Sequence, residues 1–436
     1  MAEVALLADG LRAPLFERRG RLVGAVGTTL RVRGARGRIG DVVDIVPSDD
    51  SEPLGAEVVG FDGDDMILTP MGELRGIAVD AEVVLRDRAD RVPANDSLFG
   101  RVLDAHGIPI DGKGPVDALP DRPLSAASPS PMERRPIDRP IASGVRAIDG
   151  LLTLGEGQRM GIFAAAGAGK STLLAMLARH TQADAIVIGL IGERGREVRE
   201  FVSDALGEEG LARSVVVVAT SDRPAMERVR AARAATAIAE GFRAQGRNVL
   251  LLMDSVTRFA RALREIGLAA GEPAVRRGLP PSVFAELPRL FERAGNDANG
   301  TITALYTVLT EGEEEDPVGE EVRSLLDGHI HLSRALAARG HYPAIDIPAS
   351  QSRLFRKLAG SGQVSAAEAV RAMLAKLSDI ELLLQMGEYQ PGQDLLADAA
   401  LEQRDAIHAL LRQTPDEASD ATTTVARLRA IGETIL

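Results

Sequence analysis

The chain has 436 residues, of which 45% are hydrophobic and 26% charged, with a formal net charge of −12 and no cysteine. Disulfides and cysteine-based metal or redox sites are therefore excluded, and the acidic balance, together with only 3% aromatic residues and no tryptophan, disfavours a nucleic-acid partner. No apolar stretch reaches the roughly 18 residues of a membrane span, and the first residues show no basic region followed by an apolar core, so we expect a cytoplasmic protein without a secretory signal.

The first 90 positions contain short β-branched and aliphatic runs that are separated by turns. The turns at 34–37, 49–50 and 62–65 are built from Gly, Asp, Ala and Arg. Six strands at this spacing predict a small closed β-barrel, which we assign to a domain over 1–90. The predicted strands are 21–26, 29–32, 42–46, 56–61, 66–69 and 82–85.

A proline-rich stretch from Pro109 to Pro140 leads into a region where strands alternate with helices. The strand at 249–253 is apolar on both faces, as a buried parallel strand should be. This order predicts an α/β fold class with a doubly wound, mostly parallel sheet, in a domain over 91–360. The predicted elements are strands at 160–164, 185–191, 215–219, 249–253 and 301–309, with a helix at 171–180.

The end of the chain has a different pattern, in which proline and β-branched residues become rare. Apolar residues recur there at helical spacing over 366–388 and 395–411, and more weakly over 421–436. The sequence therefore predicts a C-terminal helical domain over 361–436.

The strongest chemical signal is the run from Ala164 to Thr172, which follows an apolar strand and precedes a helix. Binding a triphosphate requires backbone N–H groups turned inward, a helix N-terminus and one cation that reaches the phosphate oxygens. Lysine occurs at only four positions in this arginine-rich chain, so its presence in a glycine-rich loop favours a functional role for it. A plain Gly/Ala-rich turn is the alternative. The residues assigned to nucleotide binding are Gly167, Ala168, Gly169, Lys170, Ser171 and Thr172, with the Ser171 hydroxyl also assigned to Mg²⁺.

The loop departs from the usual pattern because Ala164 occupies the position of its first glycine. Alanine can take this position if its φ angle stays negative. We therefore expect the binding chemistry to survive the change.

Asp254 ends the apolar strand at 249–253 and is a candidate ligand for the Mg²⁺ shell beside the phosphate loop. An Asp at a strand end is often a helix cap instead. Glu193 follows the strand at 185–191 and should lie at the same edge of the sheet, where a carboxylate can orient and deprotonate water. The alternative for Glu193 is a solvated, charged helix start.

With these motifs in place, the sequence resembles the ATPases of bacterial type III secretion, relatives of the F₁ and V₁ catalytic subunits. The resemblance spans residues 20 to 415, and two of its segments, 219–224 and 321–327, resemble the virulence injectisome branch more than the flagellar branch. The acidic run at 312–316 is denser than the family pattern. The resemblance implies a RecA-like core. The motifs that carry it are 161–174, 192–198, 215–224, 253–260, 280–284 and 326–330.

The resemblance also implies roles for individual residues. Glu193 matches the catalytic glutamate, and Lys170, Ser171 and Asp254 match the phosphate and Mg²⁺ positions. Arg194 and Arg258 fall where the family places arginines near the γ-phosphate. Arg353 matches the arginine finger that enters a neighbour's site, and 387–394 falls where rotary relatives carry a loop that touches a central stalk.

The implied activity is hydrolysis of ATP, with Mg²⁺, by a homo-hexamer whose barrels mediate oligomerisation. The implied partners are a coiled-coil stalk, a stator or regulator, chaperone–effector complexes and the export machinery at the cytoplasmic face of the inner membrane, with no nucleic acid. The alternatives are a flagellar export ATPase and an RNA-translocating helicase that shares the core fold. The helicase should carry a basic, aromatic barrel, whereas Phe61 is the only aromatic residue in 20–90 and acids are abundant there.

Overall fold

A computed structural model describes residues 19–47, 52–74, 76–86, 90–117, 122–310 and 316–434. The predicted turn at 49–50 and most of the acidic run at 312–316 lie outside these residues, as does the end of the helix expected at 421–436.

The N-terminal strands close into a barrel in the order β1-β2-β5-β4-β3-β6, which confirms the predicted six-stranded barrel. Alternate residues of β1 and β2 face inward, and Leu30, Val43 and Ile45 are fully buried in the barrel core. The strands are β1 (Arg19–Val26), β2 (Thr29–Arg33), β3 (Val42–Val46), β4 (Leu54–Asp62), β5 (Asp65–Pro70) and β6 (Glu82–Leu85).

The remaining strands form one large sheet and two small ribbons. The large sheet has the order β19-β18-β12-β17-β15-β13-β14-β8, with β16 paired to β17, and its pairs are parallel except β18–β19 and β16–β17. The predicted mostly parallel α/β sheet is therefore confirmed. The strands are β7 (Arg91–Val92), β8 (Arg101–Leu103), β9 (Arg122–Pro123), β10 (Pro140–Ile141), β11 (Leu154–Gly155), β12 (Arg159–Ala164), β13 (Ala185–Ile191), β14 (Ser214–Ala219), β15 (Asn248–Asp254), β16 (Gly295–Asn296), β17 (Thr301–Leu309), β18 (Gly328–Leu332) and β19 (Ile345–Ser352).

The helices cover the faces of the sheet and form the C-terminal unit, and a 3₁₀ turn (Asp96–Leu98) and a π-helical segment (Phe201–Leu206) accompany them. None of the helices in the described part of the chain combines the length and apolarity that a membrane crossing requires. The helices are α1 (Arg146–Leu151), α2 (Lys170–His180), α3 (Gly195–Glu200), α4 (Gly207–Ala212), α5 (Ala225–Ala244), α6 (Val256–Ala269), α7 (Pro281–Phe291), α8 (Pro317–Leu325), α9 (Arg334–Ala338), α10 (Phe355–Leu358), α11 (Ser361–Asp379), α12 (Glu381–Met386), α13 (Leu395–Leu411) and α14 (Ala421–Gly432).

The C-terminal region differs from the predicted helices in one respect. The run at 366–388 is interrupted at Ile380, which caps α11 through its backbone N–H and precedes α12. Gly387, with a φ of +71°, then ends α12. Apolar spacing alone did not reveal this break, since the hydrophobic pattern continues across it.

A partly buried arginine attaches the C-terminal helices to the sheet. Arg371 of α11 donates hydrogen bonds to the carbonyls of Ile347, Ser350 and Leu151 at 2.5, 3.2 and 3.0 Å. These carbonyls belong to β19 and α1, so one guanidinium holds three elements together. Because β19 ends one residue before Arg353, this contact also fixes the segment that presents Arg353.

Arg371→Met should lower the free energy of unfolding by about 1–3 kcal/mol, because carbonyls that lose their donor stay buried. Thermal or urea unfolding measures the change. Arg356→Met is the matched control, since Arg356 pairs with Glu368 at the surface and such pairs contribute only about 0–1 kcal/mol. Equal stability losses in the two variants would contradict the role of Arg371.

Candidate active site

The predicted phosphate-binding loop connects β12 to α2. Gly167 and Gly169 have φ angles of +81° and +87°, a region that residues with a Cβ rarely adopt, so these two glycines are required for the turn. Ala164 remains in the extended strand and is absent from the positive-φ residues, as the sequence argument expected. Helix α2 begins at Lys170, which places its free N–H groups and positive dipole end at the loop.

Lys170, Glu193 and Asp254 meet at this edge of the sheet. The Lys170 ammonium lies 2.5 Å from Oδ1 of Asp254 and 3.1 Å from Oε1 of Glu193, and all three side chains are largely buried. The contact arises because β13 and β15 both end near the loop that follows β12, as parallel strands in one sheet must. The grouping predicted from three separate motifs is therefore present in the fold.

Glu193 is buried, which contradicts the alternative of a solvated helix start. Helix α3 begins two residues later at Gly195. Burial raises the pKa of the Glu193 carboxyl above its usual value of 4.5, the nearby Asp254 charge raises it further, and Lys170 and Arg258 oppose the shift. A carboxylate with a raised pKa is better suited to accept a proton near neutral pH.

Arg258 reaches Glu193 from helix α6. Its guanidinium lies 3.3 Å from Oε2 of Glu193 and also donates to the carbonyl of Gly192. Arg258 is thus part of the cluster, while its place near the γ-phosphate stays a prediction.

Asp254 does not cap the helix that follows it. Ser255 is the N-cap of α6, and its side chain accepts a hydrogen bond from the N–H of Arg258. Asp254 instead accepts a hydrogen bond from the Thr307 hydroxyl at 2.7 Å, in addition to the one from Lys170. The carboxylate is therefore held at the strand end and is directed to the site rather than to the helix backbone.

Arg194 and Arg353 lie apart from this cluster. The Arg194 side chain is exposed and pairs with Glu197 at 2.9 Å. Arg353 is exposed at the end of β19, where it donates to the carbonyl of Arg323 at 3.4 Å. Neither arginine contacts Lys170 in its own chain.

The residues at the loop fit a nucleotide-bound Mg²⁺ ion. Ser171 is exposed in the first turn of α2 and supplies a hydroxyl, while Asp254 and Glu193 supply carboxylates. Within the described ranges, no group of three or more His, Cys, Asp or Glu side chains is arranged to hold a metal by itself. Mg²⁺ characteristically needs only one or two protein oxygens, because phosphates and water complete its octahedron.

A cavity of about 440 Å³ opens beside the loop, between α2, the π-helical segment and the segment that follows α13. Its volume falls within the range of small-ligand sites. Its lining includes Ser171, Thr172, Arg179, Phe201, Pro415 and Asp416.

Sequence reasoning missed an aromatic residue at the loop. Tyr342 is 41% exposed, and its ring is so close to Gly169 that a Cβ added to the glycine would lie 3.3 Å from Cε1 of Tyr342. Tyrosine occurs only three times in the chain. Tyr342 lies shortly after the short helix α9, which follows β18, and β18 pairs with β12. That scarcity was the available signal.

The position of Tyr342 depends on the C-terminal unit. The N–H of Gln413 donates to the carbonyl of Tyr342 at 2.9 Å. The buried Gln413 side chain also accepts from the N–H of Arg146 and donates to the carbonyl of Gly144. The segment after α13 is therefore hydrogen-bonded both to the aromatic residue and to the start of the nucleotide-binding region.

Comparisons with known proteins match this architecture over nearly the whole chain. Residues 144–352 match the model of the ATP synthase alpha/beta family, nucleotide-binding domain, and residues 359–430 match the T3SS EscN ATPase C-terminal domain. The type 3 secretion system ATPase of Xanthomonas euvesicatoria is 53% identical over 98% of this chain and 96% of its own length. The flagellum-specific ATP synthase of Pseudomonas aeruginosa is 46% identical over 94% of this chain and 92% of its own.

Solved structures agree with these relatives. The assembled ATPase EscN from the type III secretion system of enteropathogenic E. coli superposes with a TM-score of 0.89 at 46% identity, covering 95% of this chain and 100% of that one. EscN in complex with its central stalk EscO gives a TM-score of 0.88 with the same coverage.

The glycine-rich loop, its lysine and the two strand-end carboxylates define a phosphate-loop ATPase of the ATP synthase alpha/beta kind. Within that class, the chain belongs to the family of type 3 secretion system ATPases, to which flagellar ATPases are also related. It is accordingly an enzyme that binds and hydrolyses ATP, and this membership weighs against the RNA-helicase alternative.

Glu193→Gln should bind ATP but lose about 10²–10⁴-fold in kcat, because the amide keeps the size of the side chain and cannot accept the proton. With Glu193 as the base, the acid limb of the kcat–pH profile of the unmodified enzyme should lie above pH 4.5, since the pKa of Glu193 is raised and a protonated carboxyl cannot accept the proton. Steady-state kinetics and binding of a fluorescent ATP analogue measure both effects.

Glu368→Gln is the control for this prediction, because Glu368 lies on α11 and pairs with Arg356 at the surface. It should retain normal turnover. Near-normal hydrolysis by Glu193→Gln would show that another residue is the base, and Glu197 would be the next candidate.

Proposed function

We propose that this chain is one subunit of a homo-hexameric ring that converts ATP and water to ADP and phosphate, and so energises type III protein export, chaperone release and substrate unfolding. The observation that carries the proposal is the Lys170–Glu193–Asp254 cluster in a chain that is similar over 95% of its length to an ATPase described as assembled. The barrel over 1–90 serves oligomerisation, 91–360 forms the ATPase domain and 361–436 the helical domain.

In the proposed reaction, Lys170 binds the β- and γ-phosphate oxygens, and the backbone N–H groups of 167–172 surround them. Glu193 orients a water molecule and accepts its proton as the water oxygen bonds to the γ-phosphorus and the bond to the β–γ bridging oxygen breaks. Ser171 and Asp254 would hold Mg²⁺, which when bound neutralises phosphate charge. Arg258 stabilises the charge on Glu193 and the reacting phosphoryl group. Arg194, which is exposed and lies apart from the cluster in its own chain, is proposed to approach the γ-phosphate when the nucleotide is bound.

The exposed ring of Tyr342 is the proposed stacking surface for adenine. The ring lies against Gly169, so a nucleotide whose phosphates occupy the loop has an aromatic face within reach. The cavity lined by Thr172 and Pro415 provides adjoining space.

Tyr342→Ala should raise the KM for ATP by an amount equivalent to about 1–3 kcal/mol, the usual worth of stacking a base on an aromatic ring, with a smaller effect on kcat. Tyr342→Phe keeps the ring and should behave like the unmodified enzyme. A Tyr342→Ala variant with normal KM, measured by ATP titration of the hydrolysis rate, would remove Tyr342 from the base site.

Arg353 is proposed to act in a neighbouring subunit. It is exposed and makes no contact with Lys170 of its own chain, which suits a group that completes the next protomer's site. A guanidinium in that position stabilises charge on the transferring phosphoryl group, an effect of about 10³–10⁵ in kcat for arginine fingers.

Arg353→Ala should bind ATP yet hydrolyse it poorly. Lys170→Ala should keep the fold but lose ATP turnover, because it lacks the phosphate-binding cation. Mixing the two variants should restore part of the activity, because a Lys170→Ala subunit can supply Arg353 to a neighbour with an intact loop. Specific activity of the unmodified protein should also rise with concentration as rings assemble.

Arg356→Ala controls for loss of a surface arginine three positions away and should keep full activity. Co-assembled mixtures that remain as inactive as the separate variants would refute the shared site. Electron microscopy of the particles with ATP establishes whether the mixtures have formed rings.

The tip of the helical domain is the proposed contact with a coiled-coil stalk. EscN, the relative of similar fold, forms a complex with its central stalk EscO. In this chain Tyr389 donates to Asp398 at 2.7 Å and so ties the loop at 387–394 to α13. Large apolar side chains are exposed beside that loop, namely Leu382, Leu383, Leu384, Met386 and Leu395.

The remaining partners follow from the proposed export role. They are a stator or regulator, chaperone–effector complexes and the export machinery, which the ring meets at the cytoplasmic face of the inner membrane. A flagellar role is the second candidate, favoured by the 46% identity to a flagellum-specific ATP synthase.

A further inference from the structure

Thr307 places a hydroxyl at the centre of the large sheet. It lies on β17 opposite Ile162 of β12, while β15 flanks β17 on the other side. The residue is fully buried, in a strand whose neighbours are mostly apolar. A hydroxyl in such a place is costly unless it is hydrogen-bonded, so its partner indicates why it is there.

That partner is the Asp254 carboxylate. The Thr307 hydroxyl donates to Oδ1 of Asp254 at 2.7 Å, and the Lys170 ammonium donates to the same oxygen at 2.5 Å. Within the described chain, the hydrogen bonds that the Asp254 side chain accepts both end on Oδ1. The other oxygen, Oδ2, is therefore the one left for a further partner.

The strand that carries Thr307 is itself held in place at this end. The N–H of Leu309 donates to the Thr257 hydroxyl of α6 at 2.9 Å, and β12 and β15 pair with β17 on either side. Thr307 is thus a rigidly mounted donor, whereas Lys170 is a long side chain that phosphate oxygens would attract away from Asp254. When Lys170 binds a phosphate instead of Asp254, Thr307 is the donor that still hydrogen-bonds to Oδ1.

We propose that Thr307 is a positioning residue for the Mg²⁺ site: its hydroxyl fixes the Asp254 carboxylate through Oδ1 and leaves Oδ2 available to the hydration shell of the nucleotide-bound ion. The inference rests on the proposed role of Asp254 toward Mg²⁺. Groups that orient a metal-binding carboxylate affect metal affinity or activity by about 10–100-fold when they are removed. Thr307 acts through Asp254 and touches neither the nucleotide nor the reacting atoms.

The test compares Thr307→Val, which matches the shape of threonine without its hydroxyl, with Thr307→Ser, which restores the donor. Binding of a fluorescent ATP analogue is titrated with Mg²⁺ and repeated in EDTA. Thr307→Val should need about 10–100-fold more Mg²⁺ for half-maximal metal-dependent binding, and its affinity in EDTA should stay unchanged. Thr307→Ser should return the Mg²⁺ requirement toward that of the unmodified protein.

Thr303→Val is the matched control. Thr303 lies on the same face of β17, is equally buried, and its hydroxyl accepts from the N–H of Gly157 rather than contacting Asp254. It should reduce stability without changing the Mg²⁺ requirement. An equal Mg²⁺ shift in Thr303→Val, or none in Thr307→Val, would overturn the proposal.

Asp254→Asn tests the proposed Mg²⁺ role of Asp254 separately from the positioning role of Thr307. If Asp254→Asn shifts the Mg²⁺ requirement and Thr307→Val does not, only the positioning role of Thr307 is wrong. If Asp254→Asn leaves the requirement unchanged, the Mg²⁺ role of Asp254 is wrong as well. Should Thr307→Val not fold, Thr307→Ala removes the same hydroxyl without adding bulk at the site. The Mg²⁺ requirement of Thr307→Ala then supports or overturns the proposal in the same way.

Discussion

A buried ammonium must be paired with negative charge, and this requirement organises the centre of the molecule. Lys170 lies between Glu193 and Asp254 in a largely buried site, where an unpaired charge would cost several kcal/mol. The pairing demands that three strand ends converge within a few ångströms. The parallel sheet provides that convergence, since β12, β13 and β15 all end at one edge. The charges that we propose to bind phosphate and Mg²⁺ therefore meet only when the sheet is correctly folded.

Much of this arrangement could be read from the amino-acid sequence because it follows from local rules. A glycine-rich turn between a strand and a helix identifies the phosphate loop, and an acidic residue at the end of an apolar strand lies near it in a parallel sheet. Glu193 had the alternative of a solvated helix start, which its burial contradicts. Asp254 had the alternative of a helix cap, but Ser255 is the residue that caps the helix. The barrel was predictable because turns rich in Gly and Asp separate short runs of β-branched and aliphatic residues over the first 90 positions.

Other parts of the site depend on contacts that no local pattern encodes. Tyr342 reaches Gly169 only through the way β18 and the segment after it fold beside β12. Thr307 reads as an ordinary β-branched residue until its hydroxyl is seen against Asp254. The helix break at Ile380 could not be predicted from the sequence either, because the apolar residues on either side continue in helical register. In each case, tertiary contacts rather than local residue preferences determine the outcome.

Helix α13 links two distant places in the chain. Its first turn is hydrogen-bonded to the loop at 387–394 through Asp398 and Tyr389. Gln413, two residues beyond the end of the helix, is hydrogen-bonded to Tyr342. A helix of this length spans about 25 Å and transmits displacement with little bending. With the proposed roles of Tyr342 and of the loop at 387–394, a partner that shifts this loop would change the free energy of holding a base against Tyr342. By thermodynamic reciprocity, a base bound at Tyr342 would then change the affinity of the loop for that partner by the same factor.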